Sequence, residues 1–220
     1  MRNIHGIIFD FDGLILDTET PQYIAWKEIY QQHGVNLQEQ SWVDVIGRPP
    51  ETQDFCTLLE EELGKPVDRD DIRAKRKPRL KALLDAESIR PGIEQYLIDA
   101  AEMGLRIGLA SSSDHDWVES NLHRLELHDY FHIIICNEDT SRHKPDPSPY
   151  LHTARKLGVK AEQAIALEDS PHGIASARAA GCFTVAVPNS LTVHLDLSLA
   201  HLQVESLGDL TLAQLIEQVE

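Results

Sequence analysis

The stretch GIIFDFDGLILDTE, residues 6–19, carries the pattern from which the fold follows. Ile7, Ile8 and Phe9 form a short apolar run rich in β-branched and aromatic side chains, which predicts a buried strand. Asp10 and Asp12 come directly after it, and Gly13 then breaks the regular backbone. Carboxylates two residues apart on an extended chain point to the same side. Side by side they repel, so such a pair needs a cation or a shared proton between them. An EF-hand calcium loop also begins Asp-x-Asp, but it requires glycine sixth and glutamate twelfth. Here Gly13 is fourth, and Ile15 and Pro21 stand at those places, which excludes that loop.

Downstream of Asp17 the texture becomes helical. From Thr18 to Leu84, apolar residues recur at helical spacing among charges, in IAWKEIYQQHG, VDVIG, FCTLLEEELG and DDIRAKRKPRLKALLDA. Gly34 and Gly64 read as helix stops, and Pro78 is expected to kink or interrupt the last helix or to lie near its end. No strand is expected in this block.

From Pro91 onward, helices alternate with short apolar strands. The predicted strands are LRIGLASSS, FHIIICNED, QAIALEDS and CFTVAVP, with a further one near LQVES. The predicted helices are GIEQYLIDAAEMG, DHDWVESNLHRLEL opened by Asp114 as N-cap, PSPYLHTARKLG, PHGIASARAAG and TLAQLIEQV. Strands separated by helices imply an α/β fold, a doubly wound parallel sheet covered on both faces. In such sheets ligands bind at the carboxyl ends of the strands. Those ends carry Asp10 and Asp12, then Ser111, Ser112 and Ser113, then Lys144, then Glu168 and Asp169. Taken singly, the serines suit helix capping, the lysine a solvated loop and the acids a helix N-terminus. Capping does not explain why a lysine and paired acids should share one sheet edge with them.

The composition narrows the function classes. Twenty Lys and Arg against 36 Asp and Glu give a formal charge of −16, which argues against a nucleic-acid backbone or an anionic membrane as partner. The amino terminus lacks the apolar core and small-residue cleavage site of a signal peptide, and no run is long enough to span a membrane. Three widely spaced cysteines without CxxC spacing fit a reducing compartment. A soluble cytoplasmic protein is expected.

The set DFDG (10–13), Ser111 in LASSS, Lys144 in KPDP and EDS (168–170) resembles the haloacid dehalogenase superfamily, in the branch of β-phosphoglucomutases and small-sugar phosphatases. The resemblance spans nearly the whole chain, and the four motifs occur in the family's order. It implies a Rossmann-like core formed by residues 1–15 and 85–220, with a four-helix cap inserted at 16–84. It further implies Asp10 as nucleophile, Asp12 as general acid and base, and Mg²⁺ held by Asp10, Asp12, Glu168 and Asp169, with the backbone carbonyl of Asp12 as its ligand and Glu168 assisting through a water or at one remove. Lys144, Ser111 and Ser112 would bind the phosphoryl group of a small phosphorylated metabolite. A carboxylate nucleophile meeting an already anionic ester needs such cations to lower repulsion. Dehalogenases resembled here lack the second aspartate, since a halide leaves without a proton, so Asp12 favours phosphate esters.

Mutases of this branch hold a second phosphate with an arginine after a cap glycine, a lysine in the second-motif loop and a histidine after the first motif. This chain has Pro50, Asp114 and Gln22 at those places. Arg48, in the turn IGRPPET, and Lys77 are the cap cations left to bind substrate. Water is therefore the expected acceptor and phosphatase the leading reading, with a β-phosphoglucomutase-type enzyme as the alternative. The alternative of another class is a non-enzymatic phospho-accepting or phosphate-binding module. Response-regulator receivers are about half this length and carry adjacent acids, and a dead binding homologue would not be expected to keep all four motif positions filled. A monomer is expected.

Overall fold

The structure is a computed structural model that describes residues 3–43 and 54–219. Six strands form one sheet: β1 (Gly6–Phe9), β2 (Arg106–Ala110), β3 (Ile133–Ile135), β4 (Ala164–Glu168), β5 (Phe183–Ala186) and β6 (Leu202–Gln203). Their order is β3-β2-β1-β4-β5-β6, and every neighbouring pair is parallel. Between them run α5 (Ile93–Glu102), α6 (His115–Arg124), α7 (Ser148–Leu157) and α8 (Pro171–Ala180), with α9 (Leu212–Glu217) at the end. This is the expected doubly wound α/β, Rossmann-like architecture.

The alternation of β1 sorts its side chains between two cores. Ile7 and Phe9 join the cluster formed with Ile107, Leu109, Ile165 and Leu167 and covered by α5, α6 and α9. Ile8 faces the other way, with Ala110, Ala166, Tyr150 of α7 and Ala177 of α8. All three are fully buried, and each burial contributes about 1.5–3 kcal/mol. Small residues dominate the second face, so α7 and α8 pack close to the sheet there.

The helical block following β1 comprises α1 (Glu19–Gln32), α2 (Glu39–Val43), α3 (Phe55–Leu63) and α4 (Arg69–Ala86). It has its own apolar interior of Tyr23, Ile29, Tyr30, Leu37, Trp42, Phe55, Leu59 and Ile72. Trp42 and Phe55 stack with ring centroids 5.0 Å apart. Leu191, from the loop after β5, is buried in this same cluster. Where the chain leaves and re-enters the sheet layer, the two connections pair: Leu16 bridges Ile89, and the Arg90 N–H donates to the Ile15 carbonyl at 2.9 Å.

Pro78 does not interrupt α4, which runs unbroken from Arg69 to Ala86. Both Pro78 and Ala74 are exposed, so the carbonyl that loses its helical partner is served by water. Asp114 does cap α6, accepting the Trp117 N–H at 2.8 Å.

Candidate active site

The parallel register brings the strand ends to one level. Phe9 lies opposite Leu109 on one side and Leu167 on the other. The next residues continue the ladder: the Asp10 N–H donates to the Leu167 carbonyl at 3.0 Å, and the Ser111 N–H to the Ile135 carbonyl at 2.9 Å. Asp10, Ser111, Glu168 and Asp169 therefore share one edge, where the strand order reverses direction from β1 to β4. All four are buried, as is Lys144, which reaches them from the loop before α7.

Lys144 lies between two carboxylates, its Nζ 2.5 Å from Asp10 Oδ1 and 2.6 Å from Glu168 Oε1. Burial opposes the ammonium, but Asp10 and Glu168 hold it above its usual pKa. Burial, countered by Lys144 and reinforced by Glu168, pushes the Asp10 carboxyl up to about 8. Asp169 is likewise raised, by burial first and then by Asp10 and Glu168. One lysine thus faces three acids, and without a further cation the excess carboxyls are pushed toward their protonated forms.

That imbalance suits a hard divalent cation. Ligand oxygens of Asp10, Glu168 and Asp169 all lie within 4.8 Å of one another, and the donor set is entirely oxygen. Asp169 is aimed by Asn189, whose Nδ2 donates to Asp169 Oδ2 at 2.8 Å and also reaches the Gly13 carbonyl at 3.3 Å. Gly13 has φ 81°, and a Cβ there would lie 2.3 Å from Asp169 Oδ2, so only glycine admits the acid. Arg90 fastens the same turn by donating to the carbonyls of Gly13, Val187 and Pro188.

Glu168 has a different environment from the other two acids. Its Oε1 accepts from Lys144 and from Tyr150 Oη at 2.6 Å, and its Oε2 accepts from the Asp169 and Ser170 N–H groups and from Ser170 Oγ. Those donors fill its lone pairs. It also presses against Gly173, where a Cβ would fall 1.9 Å from the carboxyl carbon. Glu168 thus anchors Lys144, with both of its oxygens already engaged.

Asp12 turns to a separate set of donors. Thr18 Oγ1 (2.8 Å) and Trp117 Nε1 (2.9 Å) reach its Oδ1, while Ser113 Oγ (2.7 Å) and Ser111 Oγ (3.3 Å) reach Oδ2. The Ser112 hydroxyl oxygen is buried with no hydrogen-bond partner. Glu19 stands nearby at the start of α1, bonded to Trp42 Nε1 at 3.0 Å; burial, then Asp12, pushes its carboxyl up to about 8.

The cap cations sort differently from the sequence expectation. Arg48 and the turn 46–52 lie outside the described residues. Lys77 is exposed, and its neighbour Arg76 is the residue that turns inward. Arg76 stacks on Trp26 at 4.7 Å and donates to Gln22 Oε1 at 3.3 Å, and its Nε is buried without a partner. Burial lowers its guanidinium to about 10. Gln22 and Trp26 lie four apart on α1, and Thr18, its N-cap, stands four before Gln22, so Arg76 sits on the ridge that rises from Asp12. Asp114 is occupied in capping α6.

Sequence reasoning missed Thr18, Arg90, Trp117, Tyr150 and Asn189. Only Asn189 left a usable signal, as a polar residue soon after the apolar strand CFTVAVP on the same sheet edge.

Among the described residues no helix is long and apolar enough to cross a membrane. Residues 7–187 match the family described as Haloacid dehalogenase-like hydrolase. The chain is 40% identical to the Bacillus subtilis protein named "Putative phosphatase YhcW" over 98% of both chains. It is 31% identical to Bacillus subtilis β-phosphoglucomutase, covering 98% of this chain and 95% of that one. Among solved structures, β-phosphoglucomutase from Clostridium difficile superposes with a TM-score of 0.77 at 28% identity, over 98% of this chain and 97% of the other. With that match over most of its length and that shared architecture, the chain belongs to the haloacid dehalogenase-like hydrolases.

Proposed function

We propose that the chain is a Mg²⁺-dependent phosphatase that hydrolyses a small phosphorylated metabolite, a sugar or polyol ester, through an aspartyl-phosphate on Asp10. The observation that carries the reading is the buried pairing of Asp10 with Lys144, 2.5 Å apart and beside Asp169, at the end of the central strand. A lysine held there by Glu168 and Tyr150 serves no surface role; it neutralises charge where an anionic group must approach an anionic nucleophile.

Asp10 uses Oδ1 for Lys144, and its other oxygen attacks phosphorus. Ser111, Ser112 and Lys144 donate to the phosphoryl oxygens. Asp12 gives a proton to the leaving oxygen and then takes one from the water that attacks the aspartyl-phosphate. Mg²⁺, held by Asp10, Asp169 and the backbone carbonyl of Asp12, would supply charge neutralisation for the transferring group. Glu168 contributes at one remove, through Lys144. Residues 16–84 act as the cap over a core of 1–15 and 85–220, hinged at the paired connections of Leu16 and Ile89.

Water rather than a second sugar hydroxyl is the acceptor in this reading. The carboxylate of Asp114 stands where the resembled mutases have a lysine, and it would repel a distal phosphate. The experiment is steady-state turnover of a panel of sugar and polyol phosphates with Mg²⁺, on wild type and on Asp10→Asn. Release of inorganic phosphate by wild type alone is expected. Substantial turnover by the variant, or isomerisation of glucose 1-phosphate without phosphate release, overturns the reading.

A further inference from the structure

Trp117 belongs to none of the four motifs, yet it touches the second aspartate. It lies in the first turn of α6, where Asp114 fixes its backbone N–H at 2.8 Å, and its ring packs against the main core cluster. With backbone and ring both held, the indole Nε1 has little freedom, and it donates to Asp12 Oδ1 at 2.9 Å.

The two oxygens of Asp12 have chemically unequal partners. Oδ2 meets only hydroxyls, from Ser113 and Ser111. A hydroxyl rotates, and so can accept a hydrogen bond as readily as donate one. Oδ1 meets Thr18 Oγ1 and the indole N–H. An indole N–H donates only, so no rotation lets Oδ1 carry a proton toward Trp117.

We propose that Trp117 is a positioning residue that keeps Asp12 Oδ1 a permanent acceptor and leaves Oδ2 as the oxygen that exchanges the proton. This rests on Asp12 being the acid and base of the proposed phosphatase reaction. In the first half, the bond from Asp10 to phosphorus forms and the ester P–O bond breaks while the proton on Oδ2 passes to the leaving oxygen. In the second half, the oxygen of water bonds to phosphorus, the Asp10–phosphorus bond breaks, and the proton of water returns to Oδ2. Ser113 reverses its hydroxyl to accept when Oδ2 is protonated and to donate when it is not.

Trp117→Phe keeps an aromatic ring against the core and removes the donor together with part of the ring's volume, a packing loss that falls on both substrates alike. The readout is kcat/KM for an alkyl phosphate, such as a sugar or polyol ester, against p-nitrophenyl phosphate. This parameter covers the steps up to release of the leaving group, and nitrophenolate leaves without a proton. The alkyl-to-aryl ratio is expected to fall roughly tenfold or more, as for loss of a hydrogen bond to a charged group. An unchanged ratio overturns the proposal, because a role in packing alone would move both substrates together. Asp12→Asn is the control for the underlying reading and is expected to lower the same ratio further. If Asp12→Asn lowers it and Trp117→Phe does not, only the role of Trp117 fails. If Asp12→Asn leaves it unchanged, the acid–base assignment falls, and the proposal with it. Should the Phe variant fail to fold, benzothienylalanine at position 117, which replaces the N–H by sulfur in a ring of the same shape, provides the same comparison.

Discussion

The ammonium of Lys144 lies 2.5 Å from Asp10 Oδ1, with both side chains nearly closed to solvent. Removing one partner of a buried ion pair leaves the other uncompensated, at a cost of about 3–5 kcal/mol. Here the loss would strand two acids, since Glu168 depends on the same lysine. Lys144→Met is expected to lose measurable phosphatase activity and to unfold at markedly lower temperature, with part of the stability returning on addition of Mg²⁺. A thermal melt that matches wild type would show that the pair contributes no such support.

The raised carboxyls make stability depend on pH in a defined direction. Unfolded, the Asp10 carboxyl ionises near its ordinary value of 3.8; folded without a cation, it holds its proton up to about 8. Between those limits the folded state binds more protons, so its stability is full below the ordinary value and falls as pH rises through the window. Asp169 acts in the same sense. Metal-free protein is therefore expected to melt at lower temperature at about pH 8 than at about pH 5, with Mg²⁺ stabilising more at the higher pH. Melting curves with chelator and with Mg²⁺ at both values test this; an equal metal effect at the two would contradict it.

Arg76 makes a separable prediction about the cap. Other cap arginines among the described residues have carboxylate partners, Arg69 with Asp54 and Glu60, Arg73 with Asp70, and Arg79 with Glu28. Arg76 has the neutral amide of Gln22 and the face of Trp26. Arg76→Leu is expected to raise KM for a sugar or polyol phosphate about tenfold, the scale of one hydrogen bond to a charged group, while p-nitrophenyl phosphate is little affected. Lys77→Ala should change neither. A KM shift with Lys77→Ala and none with Arg76→Leu would reverse the assignment of the inward cation.

Much of this architecture was legible because it is written in local patterns. The period of GIIF, QAIALE and CFTVAV marked strands, and residues directly following a strand must emerge at its carboxyl end. Asp10, Ser111, Glu168 and Asp169 could be placed on one edge for that reason alone. The supporting residues obey no such rule. Trp117 meets Asp12 across 105 positions and Arg90 meets Gly13 across 77. Such meetings depend on how helices pack, which one sequence does not encode in its spacing. The shift from Lys77 to Arg76 has the same origin, since one residue turns a helical side chain by about 100° and only packing fixes which one faces in. Pro78 misled in the opposite way: its penalty of about 3 kcal/mol is a local signal, and the rest of α4 outweighs it, so the helix runs on from Arg69 to Ala86.

Leu191 fills a place in the interior of the inserted helices although it belongs to the catalytic sheet's own loop. Two residues earlier, Asn189 grips the acid at the end of β4. The insert is thus not a self-sufficient bundle: cut out and expressed alone, it would carry a leucine-sized void in its apolar cluster. Transplanting it onto another member of the superfamily would call for moving the 189–191 turn as well, or for refilling that void from within.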